Sequence, residues 1–310
     1  MEGESVILYT FAALVAAALA FPFVAEALRP RMTATRRKLA PGQFAQLSQG
    51  TTHYQWTGPE DGPIAVCVHG LTTPSFVYGP VAEGLAEKGY RVLTYDLYGR
   101  GFSDRPKGDQ DSVFFNRQLD DLLDDQGITE PFLLIGYYMG GAIGAAYTAA
   151  NLTRVKQLIL LAPAGMALDL GPLVEMAQRG TFMGTWMTLG FYPKSLRRAT
   201  EGERGLESPI PHMVDRQIEE TRLKGFAPAV LASLRGVLDE DLEPAHRAIA
   251  KAGIPVTAVW GQTDEVIPLD CKDRLSEWNP QARNHVVEGA GHTVTYTHTP
   301  EILEYLNELI

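Results

Sequence analysis

The stretch FLLIGYYMGGAIGAAYTAA, residues 132–150, decides the fold. Its apolar start at 132–135 predicts a short buried strand, and its small residues from 140 to 150 predict a closely packed helix. Between them lies the glycine-rich turn 136–141, with Tyr138 at its centre. A strand that enters Gly-x-x-x-Gly and leaves as a helix forms a strained tight turn, because side chains at the glycines would clash with the neighbouring strand and helix. The helix N-terminus then points at the tip of the turn, where it favours negative charge.

Around this turn the chain alternates between short apolar runs and helical segments, which predicts a mainly parallel sheet covered by helices. The predicted strands are 64–68, 91–95, 132–135, 157–162, 255–260 and 284–288, and the predicted helices are 77–88, 114–126, 140–150 and 300–310. From residue 165 to about residue 224 the alternation lapses, and bulky apolar residues there predict an inserted helical cap. The expected division is an N-terminal hydrophobic helix at 1–30, a basic linker at 31–44, a core at 45–165 and 225–310, and the cap at 166–224.

Two polar turns follow late predicted strands and supply an acid and a base. The first ends in Asp264 and the second in His292. A nucleophile at position 138, then an acid, then a histidine is the chain order of one class of hydrolytic triad. His292 would take the proton from the nucleophile and later deliver it to the leaving group, while Asp264 would fix the imidazole tautomer. Glu265 would point away if Asp264 points in, and His298 is interpreted as structural. The alternative is a surface pairing of the two loops.

The candidate oxyanion hole follows the predicted strand 64–68, at His69-Gly70-Leu71. In this arrangement the main-chain N–H groups of Leu71 and Met139 hold the tetrahedral oxyanion. His69 is interpreted as a structural histidine rather than a base. Ser103 and Asp104, in the glycine-containing segment 95–104, are interpreted as residues that shape a loop and not as catalytic groups.

Together these motifs resemble the α/β-hydrolase superfamily over residues 45–310. The segments that carry the resemblance are His69-Gly70, Asp96-x-x-Gly-x-Gly-x-Ser-Asp104, Gly136–Gly141, Gly261–Asp264 and Gly289–His292. Within the superfamily they look like the monoacylglycerol lipase, carboxylesterase and acyl-homoserine-lactonase branches. The resemblance implies an α/β fold with a mostly parallel eight-stranded sheet, helices on both faces, an inserted helical cap, a serine nucleophile and no cofactor. Epoxide and dehalogenase relatives use an aspartate at the tight turn, which this chain lacks.

Tyr138 departs from the pattern, because the family predicts serine at this position. The phenol oxygen lies several ångströms further from the backbone than a serine oxygen, so it would overshoot His292 and the oxyanion donors. Its ordinary pKa is about 10, and the strained turn suits small side chains. We therefore expect the chain as written to be inactive, with the ring filling part of an acyl pocket. Because the acid, the histidine and the glycines are intact, a replaced serine in a working enzyme is favoured over a natural binder that lost its chemistry.

The leading functional hypothesis is a hydrolase of apolar acyl esters or acyl lactones that works through an acyl-enzyme. Phe182, Met183 and Trp186 are expected to line its substrate pocket, because their stretch is too apolar for a solvated loop. No metal is expected, since Cys67 and Cys271 lack metal-ligand spacing. The alternatives are a receptor-like protein that binds a ligand without turnover and a membrane-tethered scaffold. The sequence leaves a homodimer open.

The N-terminus and the charge balance bound the location and the partners. The formal net charge of −10 argues against a nucleic-acid partner. Residues 6–24 are almost wholly apolar and about long enough to cross a bilayer. The acidic flank before them and the basic flank after them fit a secretory signal poorly and predict a membrane anchor with a cytoplasmic catalytic domain. The alternative is a helix docked on the protein itself or on a partner subunit, in a soluble cytoplasmic protein.

Overall fold

The computed structural model describes residues 2–166 and 171–307, and its centre is one eight-stranded sheet. The strand order is β1-β2-β4-β3-β5-β6-β7-β8, in which β1 and β2 run antiparallel to their neighbours and all other pairs are parallel. The strands are β1 Gln43–Leu47, β2 Gly50–Thr57, β3 Ile64–Val68, β4 Arg91–Tyr95, β5 Phe132–Tyr137, β6 Val155–Leu161, β7 Val256–Gly261 and β8 Arg283–Val287. The predicted mostly parallel eight-stranded α/β fold is confirmed.

Helices cover both faces of the sheet. They are α1 Glu2–Ala27, α2 Ala34–Arg37, α3 Gly79–Glu87, α4 Ser112–Asp125, α5 Met139–Ala150, α6 Pro172–Gln178, α7 Phe182–Gly202, α8 Met213–Glu220, α9 Phe226–Arg235, α10 Glu243–Ala252, α11 Cys271–Trp278, α12 Val294–Thr297 and α13 Thr299–Asn307. Short 3₁₀ turns lie at Ser75–Tyr78 and Glu203–Gly205. The last residues of the predicted helix 300–310 lie outside the described ranges.

Strand β3 shows why the central strands are continuous apolar runs. Its alternate side chains enter different cores: Val66 and Val68 pack in one cluster, and Ala65 and Cys67 pack in the other. A strand buried on both faces needs apolar residues at every position. The first cluster is shared with α4, α5, α10 and α11, and the second with α3, α12 and α13.

The segment expected to be a basic linker, 31–44, is folded onto the protein. It contains α2 and the first two residues of β1. Arg37 donates from Nε to the Phe102 carbonyl at 2.9 Å and forms an ion pair with Asp104 at 2.5 Å. Arg37 therefore binds the protein's own loop at Phe102 and Asp104, and the segment also adds to the positive charge that follows α1.

Between β6 and β7 the chain forms α6 to α10, the region that contains the expected cap. Residues 167–170 of that region are outside the described ranges. Helix α7 is 21 residues long and packs against α1, α6, α8 and α9. Its inner side chains Tyr192 and Leu196 pack against the larger core cluster.

Helix α1 extends from the body of the protein. Gly3–Ala27 is long and apolar enough to cross a membrane by length and composition, with a mean hydropathy of 2.2 over its most apolar window and 6% of that window buried. So little burial excludes the core helix of a soluble protein, although a signal sequence would show the same composition. The C-terminal end of α1 is held by polar contacts: Glu26 accepts from the Gly225 N–H at 2.6 Å, and Lys224 donates to the Ala27 carbonyl at 2.8 Å.

Candidate active site

Tyr138 lies at the tip of a strained turn between β5 and α5, as the sequence predicts. Its φ of 50° and ψ of −112° place a non-glycine residue in a backbone region that L side chains rarely adopt. Its carbonyl accepts from the N–H groups of Gly141 at 2.9 Å and Ala164 at 3.0 Å, which hold the turn. A Cβ added at Gly136 would collide with the Gly140 carbonyl, and one at Gly140 would collide with the carbonyl of Val68. The two glycines are therefore required by close backbone approach.

Asp264 and His292 meet at the carboxyl edge of the sheet, in the turns after β7 and β8. His292 Nδ1 lies 2.9 Å from Asp264 Oδ2. The other carboxylate oxygen accepts from the N–H groups of Val266 and Ile267, both at 2.8 Å. The Asp264 side chain is almost fully buried, whereas the His292 side chain is about one-fifth exposed. With the Nδ1 hydrogen directed to Asp264, the nitrogen that can exchange a proton with a nucleophile is Nε2.

The Tyr138 ring packs edge-on against the His292 ring. Their centroids are 4.9 Å apart and the planes are 88° to each other. The Tyr138 hydroxyl forms no hydrogen bond with the His292 imidazole among the described residues. The two side chains meet through this ring contact instead. Burial, with a smaller contribution from the negative charge of Asp264, raises the pKa of Tyr138 to about 12. The phenol is therefore protonated at neutral pH and is a poor nucleophile.

Tyr137 also contacts the histidine. Its hydroxyl donates to the His292 carbonyl at 3.0 Å, and its ring lies 5.5 Å from the imidazole, centroid to centroid. Two adjacent tyrosines therefore contact His292. Tyr137 donates to its carbonyl, and Tyr138 packs against its ring.

The two predicted oxyanion donors flank the turn. Met139 begins α5 and is fully buried, and Leu71 follows β3 with 6% of its surface exposed. The intervening Gly70 lies against Tyr138, because a Cβ built on it would be 3.3 Å from the Tyr138 Cβ. His69 donates from Nδ1 to the Gly70 carbonyl at 2.8 Å and accepts at Nε2 from the Leu97 N–H at 2.9 Å. Burial lowers its pKa to about 4. Its neutral ring fixes the loop, which agrees with the structural role expected for it.

Comparisons with known proteins agree with this geometry. A family model described as alpha/beta hydrolase fold matches residues 63–299, which is more than half of the chain. The chain belongs to the alpha/beta-hydrolase fold family. Lipase 1 of Psychrobacter immobilis is 25% identical over 252 residues, covering 77% of this chain and 74% of the lipase.

Solved structures share the fold of this α/β hydrolase. The enol-lactonase of Burkholderia xenovorans superposes with a TM-score of 0.72 at 19% identity, over 86% of this chain and 98% of the lactonase. A bacterial membrane phospholipase A superposes with a TM-score of 0.70 at 22% identity, over 99% of this chain and 97% of that chain. A lipase is thus among the proteins similar in sequence to this chain, and an enol-lactonase is among those that share its fold.

Arg100 is a buried side chain beside the candidate oxyanion loop that the sequence pattern did not reveal. Its guanidinium is fully buried and donates from Nε to the carbonyl of Leu71 at 3.0 Å, and from its other nitrogens to Gln110 at 2.6 Å and Ser233 at 2.8 Å. Burial lowers its pKa to about 9. Arg100 thereby ties the residue that carries an expected oxyanion donor to the helical layer around α9. The sequence feature that could have pointed to Arg100 is its position in the glycine-containing segment 95–104.

A buried pair formed by His53 and Asp96 was also missed. The His53 Nδ1 lies 2.7 Å from one Asp96 carboxylate oxygen, and the other oxygen accepts from the Ser75 N–H at 2.9 Å and the Ser75 hydroxyl at 2.6 Å. Although burial alone would raise it, the hydrogen bond and charge of His53 hold the pKa of Asp96 below its ordinary value. Both residues line a cavity of about 340 Å³ that lies between the 32–41 segment and the core. The pair fixes the loop between β3 and α3.

Ser103 and Asp104 have the loop-shaping contacts expected of them. The Ser103 hydroxyl donates to the Asp96 carbonyl at 2.6 Å and accepts from the His53 N–H at 2.9 Å. Asp104 accepts from the Thr51 N–H at 2.7 Å and pairs with Arg37.

The residues expected to line the substrate pocket lie elsewhere on α7. Phe182 is 56% exposed and Met183 is 49% exposed, while the Trp186 indole donates to the Ala18 carbonyl of α1 at 3.2 Å. The Phe182 ring stacks on Phe23 of α1, and the Trp186 ring packs on Phe191 of α7. Among the described residues, no hydrogen bond or ring contact joins Phe182, Met183 or Trp186 to Tyr138. The α7 side chain that approaches Tyr138 is Tyr192, which packs in the same cluster. An apolar composition alone could not separate these two faces.

The region after α7 reaches back to the histidine loop. Tyr296 donates from its hydroxyl to Glu203 at 3.0 Å, and Gln217 on α8 donates from Nε2 to the Thr73 hydroxyl at 2.9 Å. Burial raises the pKa of Glu203, and the neighbouring Tyr296 and His292 oppose that rise. These contacts join the helices between β6 and β7 to both loops of the candidate site. Within the described residues there is no group of three or more His, Cys, Asp or Glu side chains that could hold a metal ion.

Proposed function

We propose that this α/β hydrolase derives from an esterase or lactonase that cleaves apolar acyl esters or acyl lactones through an acyl-enzyme, and that Tyr138 abolishes turnover. The observation that carries the proposal is the hydrogen-bonded Asp264–His292 pair, packed against the residue at the tip of the strained turn. In this assignment position 138 carries the nucleophile, His292 is the general base and Asp264 orients it. The N–H groups of Leu71 and Met139 form the oxyanion hole.

Three features of Tyr138 support the inactive state. Its ring, rather than its oxygen, meets the imidazole, so no proton path leads from the phenol to His292. Its raised pKa keeps the oxygen protonated at neutral pH. The ring also occupies the space between His292 and the Gly70 loop, where the acyl carbon of a substrate would have to lie.

The retained surroundings support replacement of a serine in a working enzyme. Strain at position 138 costs on the order of 1–3 kcal/mol and is tolerated in proteins where function requires it. The strained backbone gives a tyrosine no functional advantage. The two glycines, Asp264, His292 and the hydrogen bond from Arg100 to the Leu71 carbonyl are nevertheless all present. The second candidate is a protein that binds an acyl ligand without turnover, which the absence of a serine nucleophile at position 138 favours.

We also propose that the chain is attached to a membrane through residues 6–24, with the α/β domain in the cytoplasm. The length and exposure of α1 support this proposal. So does the neighbour described as a membrane phospholipase A, whose match extends over nearly the whole chain. The substrate is proposed to be a small acyl ester or lactone.

The test is a panel of p-nitrophenyl esters of increasing chain length and acyl lactones, assayed with three proteins. The chain as it stands should show no turnover above background, and Tyr138→Ser should hydrolyse at least one class. Tyr138→Ala is the matched control, because it opens the same space without supplying a nucleophile and should remain inactive. Folded Tyr138→Ser protein that cleaves none of the substrates contradicts the proposal and favours the binding function.

A further inference from the structure

Helix α7 carries an exposed apolar surface on the side away from Tyr138. Phe182, Met183 and Phe191 are 56%, 49% and 53% exposed. Trp186 lies among them and packs on the Phe191 ring, with the centroids 5.6 Å apart. We call Phe182, Met183, Trp186 and Phe191 the outer face of α7. Clusters of exposed large apolar side chains mark interaction sites rather than ordinary solvated surface.

The outer face of α7 is continuous with helix α1. The Phe23 and Phe182 rings stack with centroids 5.7 Å apart, and Trp186 donates to the Ala18 carbonyl at 3.2 Å. Gly190 allows the closest approach, because a Cβ there would lie 3.3 Å from the Pro22 ring. The contacts of α7 therefore fall on residues 18–23 of α1, near the end of its apolar stretch.

Because α7 contacts residues 18–23 of α1, the depth of those residues in a bilayer that α1 would cross is also the depth of α7. A helix rises about 1.5 Å per residue, so residues 6–24 extend over about 27 Å, close to the roughly 30 Å of a hydrocarbon core. Residues 18–23 occupy the last third of that length. Side chains that surround them, including the outer face of α7, then lie at the boundary between hydrocarbon and headgroups, where tryptophan is enriched.

Basic side chains gather at the same end of α1. Arg29 donates to the Thr221 carbonyl at 2.6 Å, and Arg197 donates to the Thr221 hydroxyl at 3.2 Å. Partial burial and the nearby charges of Arg29 and Arg222 lower the pKa of Arg197, as expected for clustered cations. Glu26 pairs with Arg29 at 2.9 Å and Glu219 pairs with Arg222 at 3.3 Å. Among the described residues Lys194, Arg197, Arg198 and Lys224 form no ion pair with an acidic side chain.

We call Lys194, Arg197, Arg198 and Lys224 the basic cluster, and a cavity of about 680 Å³ borders one of its members, Lys224. The wall of this cavity combines Phe23 of α1 with the basic side chains of Arg31, Lys107 and Lys224. It also includes Glu26 and Asp104, whose carboxylates are paired with Arg29 and Arg37. An apolar surface bordered by unpaired cations matches the chemistry of an anionic lipid, which presents acyl chains on one side and phosphate on the other.

We propose that α1 and the outer face of α7 together form one membrane-contacting surface, with the basic cluster at the level of anionic headgroups. Helix α7 then lies between the bilayer and the core cluster against which both its own Tyr192 and Tyr138 of the candidate site pack. If the proposed function holds, the acyl substrate enters from the membrane, and the substrate class is a membrane-resident acyl lipid rather than a dissolved ester.

Site-directed spin labelling of the full chain in vesicles tests the surface without relying on catalysis. Met183→Cys supplies the label position, and the native Cys67 and Cys271 are both buried. Val113→Cys is the control, because it is 65% exposed on α4, which packs on α5 and β1. In vesicles of phosphatidylcholine with one-quarter phosphatidylglycerol, the label at 183 should be reached by oxygen and shielded from a water-soluble nickel chelate. The label at 113 should show the reverse. Equal nickel access at both positions overturns the proposal.

The basic cluster is tested by changing the lipid. In vesicles that contain phosphatidylglycerol, the double variant Lys194→Gln, Arg197→Gln should leave the spin label at position 183 less shielded from the nickel chelate. The same variant should behave like the parent in pure phosphatidylcholine vesicles. A variant that is indistinguishable from the parent in both lipids contradicts the role given to the cluster.

Entry of substrate from the bilayer is tested in the Tyr138→Ser background. Adding Phe191→Ser should lower hydrolysis of a diacyl ester carried in vesicles by about tenfold relative to hydrolysis of a short water-soluble ester. An unchanged ratio overturns bilayer entry even if the label at 183 is shielded. If Tyr138→Ser hydrolyses neither substrate, the proposed function fails, and the spin-label result still decides the membrane-contacting surface.

Discussion

Replacing Tyr138 by glycine or by alanine isolates the backbone strain of the turn. Both substitutions remove the ring, so the loss of its burial is common to them and cancels in the comparison. At an ordinary position alanine is favoured, by about 0.4–1 kcal/mol, because glycine has more freedom to lose on folding. With a φ of 50° and a ψ of −112°, position 138 instead favours glycine.

The expected difference follows from these two opposing effects. Strain of this kind costs on the order of 1–3 kcal/mol. Subtracting the unfolded-state effect leaves Tyr138→Gly more stable than Tyr138→Ala by about 1 kcal/mol. The assay is urea unfolding of the two variants in one detergent buffer, compared at equal slope so that the midpoints report the free energy of unfolding.

The control is an exposed alanine within a helix. Ala199→Gly in α7 should lower the free energy of unfolding by about 0.5–1 kcal/mol, which is the opposite sign. If Tyr138→Ala is as stable as Tyr138→Gly, or more stable, the strained backbone assigned to this turn is wrong.

Three further predictions follow from the same structure. In the Tyr138→Ser background, Asp264→Asn should lower kcat by about 10³–10⁴-fold by disturbing the imidazole tautomer, and His292→Ala should lower it by about 10⁴-fold or more; equal, small losses would exclude a triad. Burial raises the pKa of Glu220 from 4.5 to about 7. The folded chain therefore keeps a proton that the unfolded chain releases, so the free energy of unfolding should fall between these pH values. Glu220→Gln should flatten that fall in urea titrations at pH 5 and pH 8, and an unaltered slope would refute the assignment. The full chain should remain with carbonate-washed membranes, whereas a chain that begins at Arg31 should not; loss of the full chain in the wash would favour a docked helix.

Much of the central sheet could be predicted because its residues are buried on both faces. The structure has β3 and β4 at the predicted bounds, 64–68 and 91–95. The antiparallel strands β1 and β2, at one end of the sheet, could not be assigned from the sequence. Both are only partly buried and include several polar residues, so a short run such as QFAQL carries no continuous apolar signal.

The meeting of Asp264 and His292 was predictable for a topological reason. Both follow parallel neighbouring strands, β7 and β8, and the carboxyl ends of such strands meet at one edge of the sheet. The roles of Arg100 and Asp96 were not predictable. A charged residue in a sequence indicates exposure, and only the folded chain shows that each is surrounded by hydrogen-bond partners.

The side chains of the cap that face a substrate could not be predicted for a different reason. Phe182, Met183 and Trp186 were expected at the substrate pocket because they are apolar, but a pocket, a neighbouring helix and a lipid surface all select the same residue types. The direction of each side chain on α7 depends on where α1 packs, and this contact is distant in sequence.

We infer that position 138 is the nucleophile position of a triad whose acid, Asp264, and base, His292, are retained. The direct measurement is covalent labelling of Tyr138→Ser by an alkyl fluorophosphonate, located by mass spectrometry, because this reaction requires an activated serine but no knowledge of the substrate. We expect one phosphonylated residue, at position 138, in Tyr138→Ser, and no labelling either in the unaltered chain or when His292→Ala is added. A folded Tyr138→Ser protein that remains unlabelled, or that is labelled equally after His292→Ala, would contradict it.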